Sequence, residues 1–449
     1  MALGDYFFMK TIDKNHLEKL LDEYKASAER TIARHALSNS EIQTVSVNKD
    51  FIGGMDFNFD INVETMEATN QKASGRCWIF AATNVLREII GKQKNIKFFE
   101  LSQSYIAFYD KLEKLNFTLE AFIDLIDVDY DDRTLQFMLN GVGDGGQWDM
   151  FVNVVKKYGV CPKNAYPETF TSSATRYINT LLNAELRHFA GESRLVKKEK
   201  GLEAVTELKQ NYMDRFYRAL VSVYGLPPEK FDFEYTDKDN KCHVEKDFTP
   251  MSFFNTYIGK TLDDYISVIN APTKDKPFYK SYTVKYLGNV LGGKRVTHLN
   301  LPMERMKELI ISQLKDNQIV WFGSDVAYYG DREKGIWDDR MFDYKSLLEL
   351  DIKMDKGESL DFRSSAMNHA MCITGVAIRE GVPTKWKIEN SWGTVNGHNG
   401  YYMMSASWFD QYTYQAVINK KYLTKEELTA YEATPIELKP WDPMGSLAD

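Results

Sequence analysis

The stretch Gln71–Phe80, QKASGRCWIF, decides the reading of this 449-residue chain. A cysteine, Cys77, stands six residues after the polar amide of Gln71 and immediately before Trp78. Ile79, Phe80, Ala81, Ala82, Thr83, Asn84, Val85 and Leu86 follow as a helix-compatible run, which puts the thiol in the first turn of a helix. The positive end of a helix dipole favours an anion. That position lowers a thiol's pKa, and the thiolate is the nucleophilic form. The Gln71 amide can donate a hydrogen bond to the oxygen of an attacked carbonyl. A nucleophile so placed needs a base from elsewhere in the chain.

Two later motifs supply one. Met367–Gly375, MNHAMCITG, sets His369 at the mouth of an apolar, strand-like run. Trp386–Gly393, WKIENSWG, offers the Asn390 amide and a second indole, Trp392. A Cys–His pair needs a third group to hold the imidazole in the right tautomer and orientation. Asn390 can accept from the ring nitrogen that faces away from the thiol, and Trp392 can cover that bond against water.

The order Gln, Cys-Trp, His-Ala, Asn-Ser-Trp-Gly resembles that of papain-like cysteine peptidases. Gly143-Asp144-Gly145-Gly146 is similar to the glycine pair with which that family binds substrate backbone. Gln318–Gly323 resembles a strand of its second lobe, and Gly335-Ile336-Trp337 the strand leading toward the histidine. Within the family the chain looks like the bleomycin hydrolase and aminopeptidase C branch. It carries a long segment between the lobes, Tyr177–Lys294, a long N-terminal segment, and a tail, Lys439–Asp449, that resembles the branch's C-terminal arm. The resemblance implies an α+β, papain-like two-lobe fold with a helical insertion and a C-terminal arm. The implied division is an N-terminal extension at 1–64, a helical lobe with the nucleophile at 65–176, and a mostly helical insertion at 177–294. A β-rich lobe with histidine and asparagine follows at 295–430, then the arm at 431–449.

The implied chemistry needs no metal or organic cofactor. Cys77 rests as a thiolate beside a His369 imidazolium and attacks a peptide carbonyl. Gln71 and the Cys77 backbone N–H hold the oxyanion, Asn390 orients His369, and Trp78 and Trp392 support the site. Gly145 and Gly146 bind substrate backbone. The branch also implies a homohexamer whose sites face an internal channel, and trimming of Asp449 to leave Ala448 as the working end. Three functions are weighed: a cytosolic aminopeptidase acting on peptides, an open-cleft endopeptidase, and a scaffold on an inactive peptidase fold. The complete set of four residues counts against the scaffold. The arm favours the aminopeptidase, because a chain end in the cleft leaves a carboxylate to meet a free substrate amine.

Composition agrees with a globular, cytoplasmic protein. Hydrophobic residues make up 43% and aromatics 13%, the proportions of ordinary packed domains. A net charge of −8 gives no global attraction to nucleic acid or to an anionic membrane, and neither partner is expected. The basic cluster Lys197, Lys198, Lys200 is interleaved with Glu192, Glu199 and Glu203 and reads as a solvated helix face. No run reaches the length of a membrane span, and the N-terminus lacks a secretory pattern. The cysteines, Cys77, Cys161, Cys242 and Cys372, fit no metal cassette. Secreted papain relatives carry a further cysteine three residues before the nucleophile; Ser74 stands there, which suits a reducing compartment. Cys161, Cys242 and Cys372 read as small core residues. Histidines 16, 35, 188, 243, 298 and 398 read as surface or satisfied core groups.

Helices are expected at 11–30, 77–91, 102–114 and 147–158, within 118–139, through much of 177–225, and at 302–315. A more polar, strand-like stretch is expected after Pro228, with aromatics at Phe231, Phe233 and Tyr235; further strands are expected at 318–324, 370–378, 384–390, 400–404 and 413–419, and residues 48–59 read as a loop.

Overall fold

The structure, a computed structural model, describes residues 11–52 and 56–448. Gly53-Gly54 and Asp449, the residue expected to be trimmed, lie outside the described residues. The chain divides into two compact units, residues 1–56 with 340–353, and residues 57–339 with 354–449.

In the smaller unit the expected helix at 11–30 is two helices, α1 (Lys14–Ala26) and α2 (Ala28–Leu37). Asp13 caps α1 by accepting from Asn15 N–H. Ser27 takes extended dihedrals, ends α1 and caps α2 by accepting from Arg30 N–H. The break therefore comes from local cap chemistry that outweighs the helical spacing of Leu17, Leu20, Leu21 and Tyr24. Those four side chains are exposed.

The larger unit has a helical side and a sheet side. α3 (Cys77–Lys94) is almost entirely buried. α4 (Gln103–Asp124) starts at the Ser102 cap and runs well past residue 114. The acidic stretch then forms a turn before a short helix at Arg133–Met138, and α5 (Trp148–Tyr158) follows. α6 (Arg176–Lys200) and α7 (Leu202–Tyr224) make a hairpin. Ile178, Leu182, Leu186 and Phe189 on one helix are buried, as are Val205, Tyr212, Phe216 and Leu220 on the other. Leu181, expected in the same stripe, is half exposed.

The strand-like stretch expected after Pro228 is strand, and the rest of the segment to Lys294 mixes short strands with a helix at Pro250–Tyr257. Phe231–Thr236 pairs with Cys242–Phe248 as an antiparallel hairpin. Its alternation turns Cys242 outward with Val244 and Lys246, so Cys242 is exposed and not the core residue expected. β1 (Tyr265–Ile269), β2 (Lys280–Val284) and β3 (His298–Asn300) join the main sheet. All five residues of β1 are buried, and Ile266, Val268 and Ile269 suit a central strand.

The main sheet continues with β4 (Val320–Ser324), β5 (His369–Arg379), β6 (Val382–Glu389), β7 (Tyr401–Ser405), β8 (Thr413–Asn419) and β9 (Ile436–Leu438). Their order is β9-β2-β3-β1-β8-β4-β5-β6-β7, extended by short strands at 336–337 and 330–331. β5 lies between β4 and β6, both antiparallel to it, and His369 is its first residue, opposite Ser324. The helix at Met303–Lys315 starts just after Pro302, which serves as its cap. Among the described residues no helix is long and apolar enough to cross a membrane.

Candidate active site

Every residue expected at the site lies in the larger unit. Cys77 opens α3 after Arg76, whose side chain makes no capping bond, so the first-turn N–H groups stay available near the thiol. Trp78 fixes the helix start. Its indole N–H donates to the Asp144 carbonyl at 2.6 Å, and its own carbonyl accepts from Trp321 Nε1 at 3.1 Å. Gly146 packs against the same indole. A Cβ there would lie 2.5 Å from the Trp78 ring, so only glycine fits. Gly145 is buried beside it and its carbonyl accepts from the Lys114 ammonium.

β5 serves both partners at once. The Ala370 N–H donates to Cys77 Sγ at 3.4 Å, while the adjacent His369 bonds through Nε2 to Asn390 Oδ1 at 2.9 Å. Asn390 Oδ1 also accepts from Ser391 N–H at 2.8 Å. That second donor fixes the amide with its oxygen toward the ring, so Nε2 carries the hydrogen and Nδ1 is left for the thiol side. The Trp392 ring stacks on the imidazole with centroids 4.8 Å apart.

Gln71 is oriented by the opposite wall. Its Oε1 accepts from Ser391 Oγ at 2.6 Å, and its backbone N–H donates to the Ser391 carbonyl at 2.9 Å. One amide hydrogen goes to the Ser74 carbonyl at 2.6 Å. A side-chain amide has two, so the second remains for a ligand. The loop of Gln71 and the loop of Trp392 are thus stitched together, and Gly393 N–H also donates to the Thr69 carbonyl.

Burial sets the electrostatics. Cys77 and His369 are only 4% and 5% exposed. Burial pushes the thiol up to about 11, against the hydrogen bonds from Ala370, Trp78 and its own backbone N–H. Burial likewise pulls His369 down to about 4, although the Asn390 bond favours the charged ring. The helix-start position alone does not deliver a low-pKa thiol here, because desolvation outweighs it. In the covered site burial favours the neutral pair over the expected thiolate–imidazolium pair. Between those values the pair holds one proton, and it titrates as a unit.

The C-terminal arm touches both walls. Gln147, next to the glycine pair, donates to the Met444 carbonyl at 3.3 Å, and Ser446 Oγ donates to the Met367 carbonyl at 2.7 Å. Asp442 pairs with Lys276 at 3.0 Å, and the Arg133 guanidinium stacks 3.9 Å from the centroid of the Trp441 ring. Ala448 and Gly445 line a cavity of about 360 Å³ with Gly141, Val142 and Gly143.

Reading the sequence missed two supports. Asp144 accepts from Gly75 N–H, Thr175, Lys111 and Asn179, tying the nucleophile loop to the helical side. Glu389, just before Asn390, accepts from Asn84 and Arg87 of α3 at 2.8 and 2.7 Å. An acid within a glycine motif and an acid inside an apolar strand were the available signals. Four of the six other histidines have structural partners: His188 bonds Tyr212, His243 bonds Asp237, His298 bonds Ser267 and His398 stacks on Phe57. All four cysteines are unpaired.

A thiol, an imidazole oriented by an amide, and converging N–H donors can carry out acyl transfer through a thioester. Comparison with known proteins agrees. The Peptidase C1-like family matches residues 11–445. Aminopeptidase C of Lactobacillus delbrueckii subsp. lactis is 47% identical over 422 residues, covering 93% of this chain and 94% of that protein. Aminopeptidase C of Streptococcus thermophilus is 45% identical over 444 residues, covering 98% and 100%. The crystal structure of PepW from Lactobacillus rhamnosis HN001 matches with a TM-score of 0.94 and 44% identity, over 97% of this chain and 99% of that one. The chain therefore belongs to the Peptidase C1-like family, as a papain-like cysteine peptidase of the aminopeptidase C branch.

Proposed function

We propose that this cysteine aminopeptidase works through Cys77 as nucleophile, His369 as proton carrier and Asn390 as its orienter. The observation that carries the reading is the single strand β5, which sets Ala370 N–H on the Cys77 sulfur and His369 on Asn390 side by side. The Cys77 Sγ–H passes its proton to His369 Nδ1 as sulfur attacks the carbonyl carbon of the first peptide bond. The oxyanion takes hydrogen bonds from the free Gln71 amide hydrogen and the Cys77 backbone N–H. Removal of one such donor typically costs about a hundred- to a thousandfold in rate. His369 then gives its proton to the leaving amine as the C–N bond breaks. Water, deprotonated by His369, cleaves the thioester and restores the thiol. Trp392, half-buried over the imidazole, keeps solvent from the His369–Asn390 bond.

The arm makes the enzyme an exopeptidase. Its contacts with Gln147 on one wall and Met367 on the other set it across the groove beside Gly145 and Gly146. A terminal carboxylate there, on Ala448 after trimming, pairs with a protonated substrate amine as a charge-assisted hydrogen bond. Removal of Met444–Asp449 is expected to abolish the preference for free over N-blocked peptides and to open longer peptides to internal cleavage. A truncated enzyme with the same strict demand for a free amine would contradict this role.

Cytoplasmic residence is part of the proposal, supported by Ser74 at the disulfide position and by four unpaired cysteines. So is assembly into a homohexamer, which exposed Leu17, Leu21, Tyr177 and Leu181 support. Light scattering at micromolar concentration is expected to give several times the 51.9 kDa chain mass.

A further inference from the structure

The arm addresses the amine end of a substrate; the opposite end of the cleft carries a cation that the catalytic reading leaves unused. Trp392 stacks on His369, and the guanidinium carbon of Arg332 lies 4.4 Å from the centroid of the same indole. Arg332 is exposed, and among the described residues no carboxylate pairs with it. Its neighbour Asp331 is committed to Lys334, whose ammonium and N–H it holds. The turn is anchored, since Gly335 N–H donates to the Asp331 carbonyl and Gly397 N–H to the Glu333 carbonyl. Gly335 has φ +70° and no room for a Cβ against Gly397, so this geometry is built in.

We propose that Arg332 binds a carboxylate of the leaving residue, so that the enzyme favours substrates with a negative charge close behind the scissile bond. The inference rests on the proposed roles of Cys77 and His369. His369 protonates the leaving nitrogen, so the residue behind that nitrogen lies along His369 and Trp392. The two ring contacts keep the guanidinium within about 10 Å of the imidazole. In a dipeptide the carboxylate carbon is two bonds beyond the leaving nitrogen, roughly 2.5 Å. Hydrogen-bond distances of about 3 Å at each end then bring that carboxylate to the guanidinium. One part of the guanidinium faces the Tyr402 hydroxyl; a guanidinium over a ring keeps its remaining edge N–H groups free, and the fork matches a carboxylate in two-point contact. Arg332 also disfavours the charged form of His369. A carboxylate on Arg332 would offset that repulsion when the imidazolium forms. The C-terminal carboxylate of a dipeptide and an acidic side chain on the leaving residue offer the same chemistry.

The test uses the full-length enzyme and substrates sharing one first residue: a dipeptide with a free C-terminal carboxylate, the same dipeptide amidated, and an amidated dipeptide with Asp second. We expect kcat/KM of the free acid to exceed that of the amide by about tenfold, the range of a charge-assisted contact. The Asp-containing amide recovers the preference if a side-chain carboxylate reaches Arg332, and stays with the plain amide if only the chain end does; either locates the carboxylate. In Arg332→Ala the preference collapses to near one, and in Arg332→Lys, which keeps the charge without the fork, it is intermediate. A preference that survives Arg332→Ala, or its absence in the native enzyme, overturns the inference. A loss shared equally by acid and amide makes Arg332 a mere support for Trp392 and overturns it too. Hydrolysis of none of these substrates by the native enzyme would strike the peptidase reading itself.

Discussion

The two walls that meet at the site are held by different forces. On the Cys77 side the supports are buried charges. Asp144 pairs with Lys111 at 2.9 Å, Lys114 with Asp110 at 2.8 Å and Arg76 with Glu168 at 3.0 Å. Burial alone would raise the Asp144 carboxyl. The Lys111 charge, with hydrogen bonds from Thr175, Lys111 and Asn179, outweighs it and holds the group well below the usual carboxylate range. On the His369 side the groups that touch the imidazole are neutral and aromatic: the Asn390 amide and Trp392, with Trp337 and Tyr402 behind the indole. Changes to the charged supports behind Cys77 should act on folding, and changes to the groups that touch His369 on chemistry.

The sharpest break of that contrast is His369→Ala. Loss of the proton carrier is expected to lower kcat/KM by about a thousandfold or more, with the denaturation midpoint nearly unmoved. A His369→Ala enzyme that unfolds readily would erase the distinction between the walls. Asp144→Ala is the opposite case. It strands the Lys111 ammonium in a buried site, and breaking such a pair costs about 3–5 kcal/mol. Urea titration should therefore show a much lower midpoint, with Asp144→Asn between the two. An unchanged midpoint would mean that the charged network is dispensable.

Asn390→Ala should cost less than His369→Ala, because it removes orientation and keeps the base. A lost hydrogen bond worth about 1–3 kcal/mol corresponds to roughly five- to a hundred-and-fiftyfold in rate. The smallest effect concerns pH. With His369 near 4 and Cys77 near 11, the one-proton pair forms as pH rises through about 4 and is lost only in strong alkali. The acid limb of kcat/KM should fall near pH 4, and the alkaline fall, below 11, is set by the substrate amine. The Asn390 bond raises His369, so its removal should move the acid limb lower. A limb that moves upward would contradict the assigned hydrogen bond.

How much of this could be read in the sequence depends on the range of each interaction. The nucleophile helix, the histidine strand and the Asn-Ser-Trp-Gly loop each follow from local pattern, and the family resemblance put them together. The polar supports were not legible. Asp144 stands within a glycine motif, but its partners Gly75, Lys111, Thr175 and Asn179 come from separate segments, which no local pattern joins. Glu389 reaches Arg87 across some three hundred residues. Helical periodicity failed at Ser27, where a cap interrupts it, and β1 and β2 depended on pairing with β8 and β9 far downstream. The electrostatics of Cys77 are hard to read from sequence for a related reason. A helix start is visible in sequence, but the depth of burial that opposes its effect is not.

The central claim is that acyl transfer passes through Cys77, and the direct measurement is the mass of the enzyme during turnover. The reaction with a slow aminoacyl ester is quenched in acid, and the protein is weighed and mapped by peptide digestion. Alkylation is the poorer probe, because Cys242 is exposed while Cys77 is covered. One added aminoacyl group is expected on the peptide containing Cys77, and neither adduct nor turnover in Cys77→Ala. An adduct on another residue, or full turnover by Cys77→Ala, would contradict the claim.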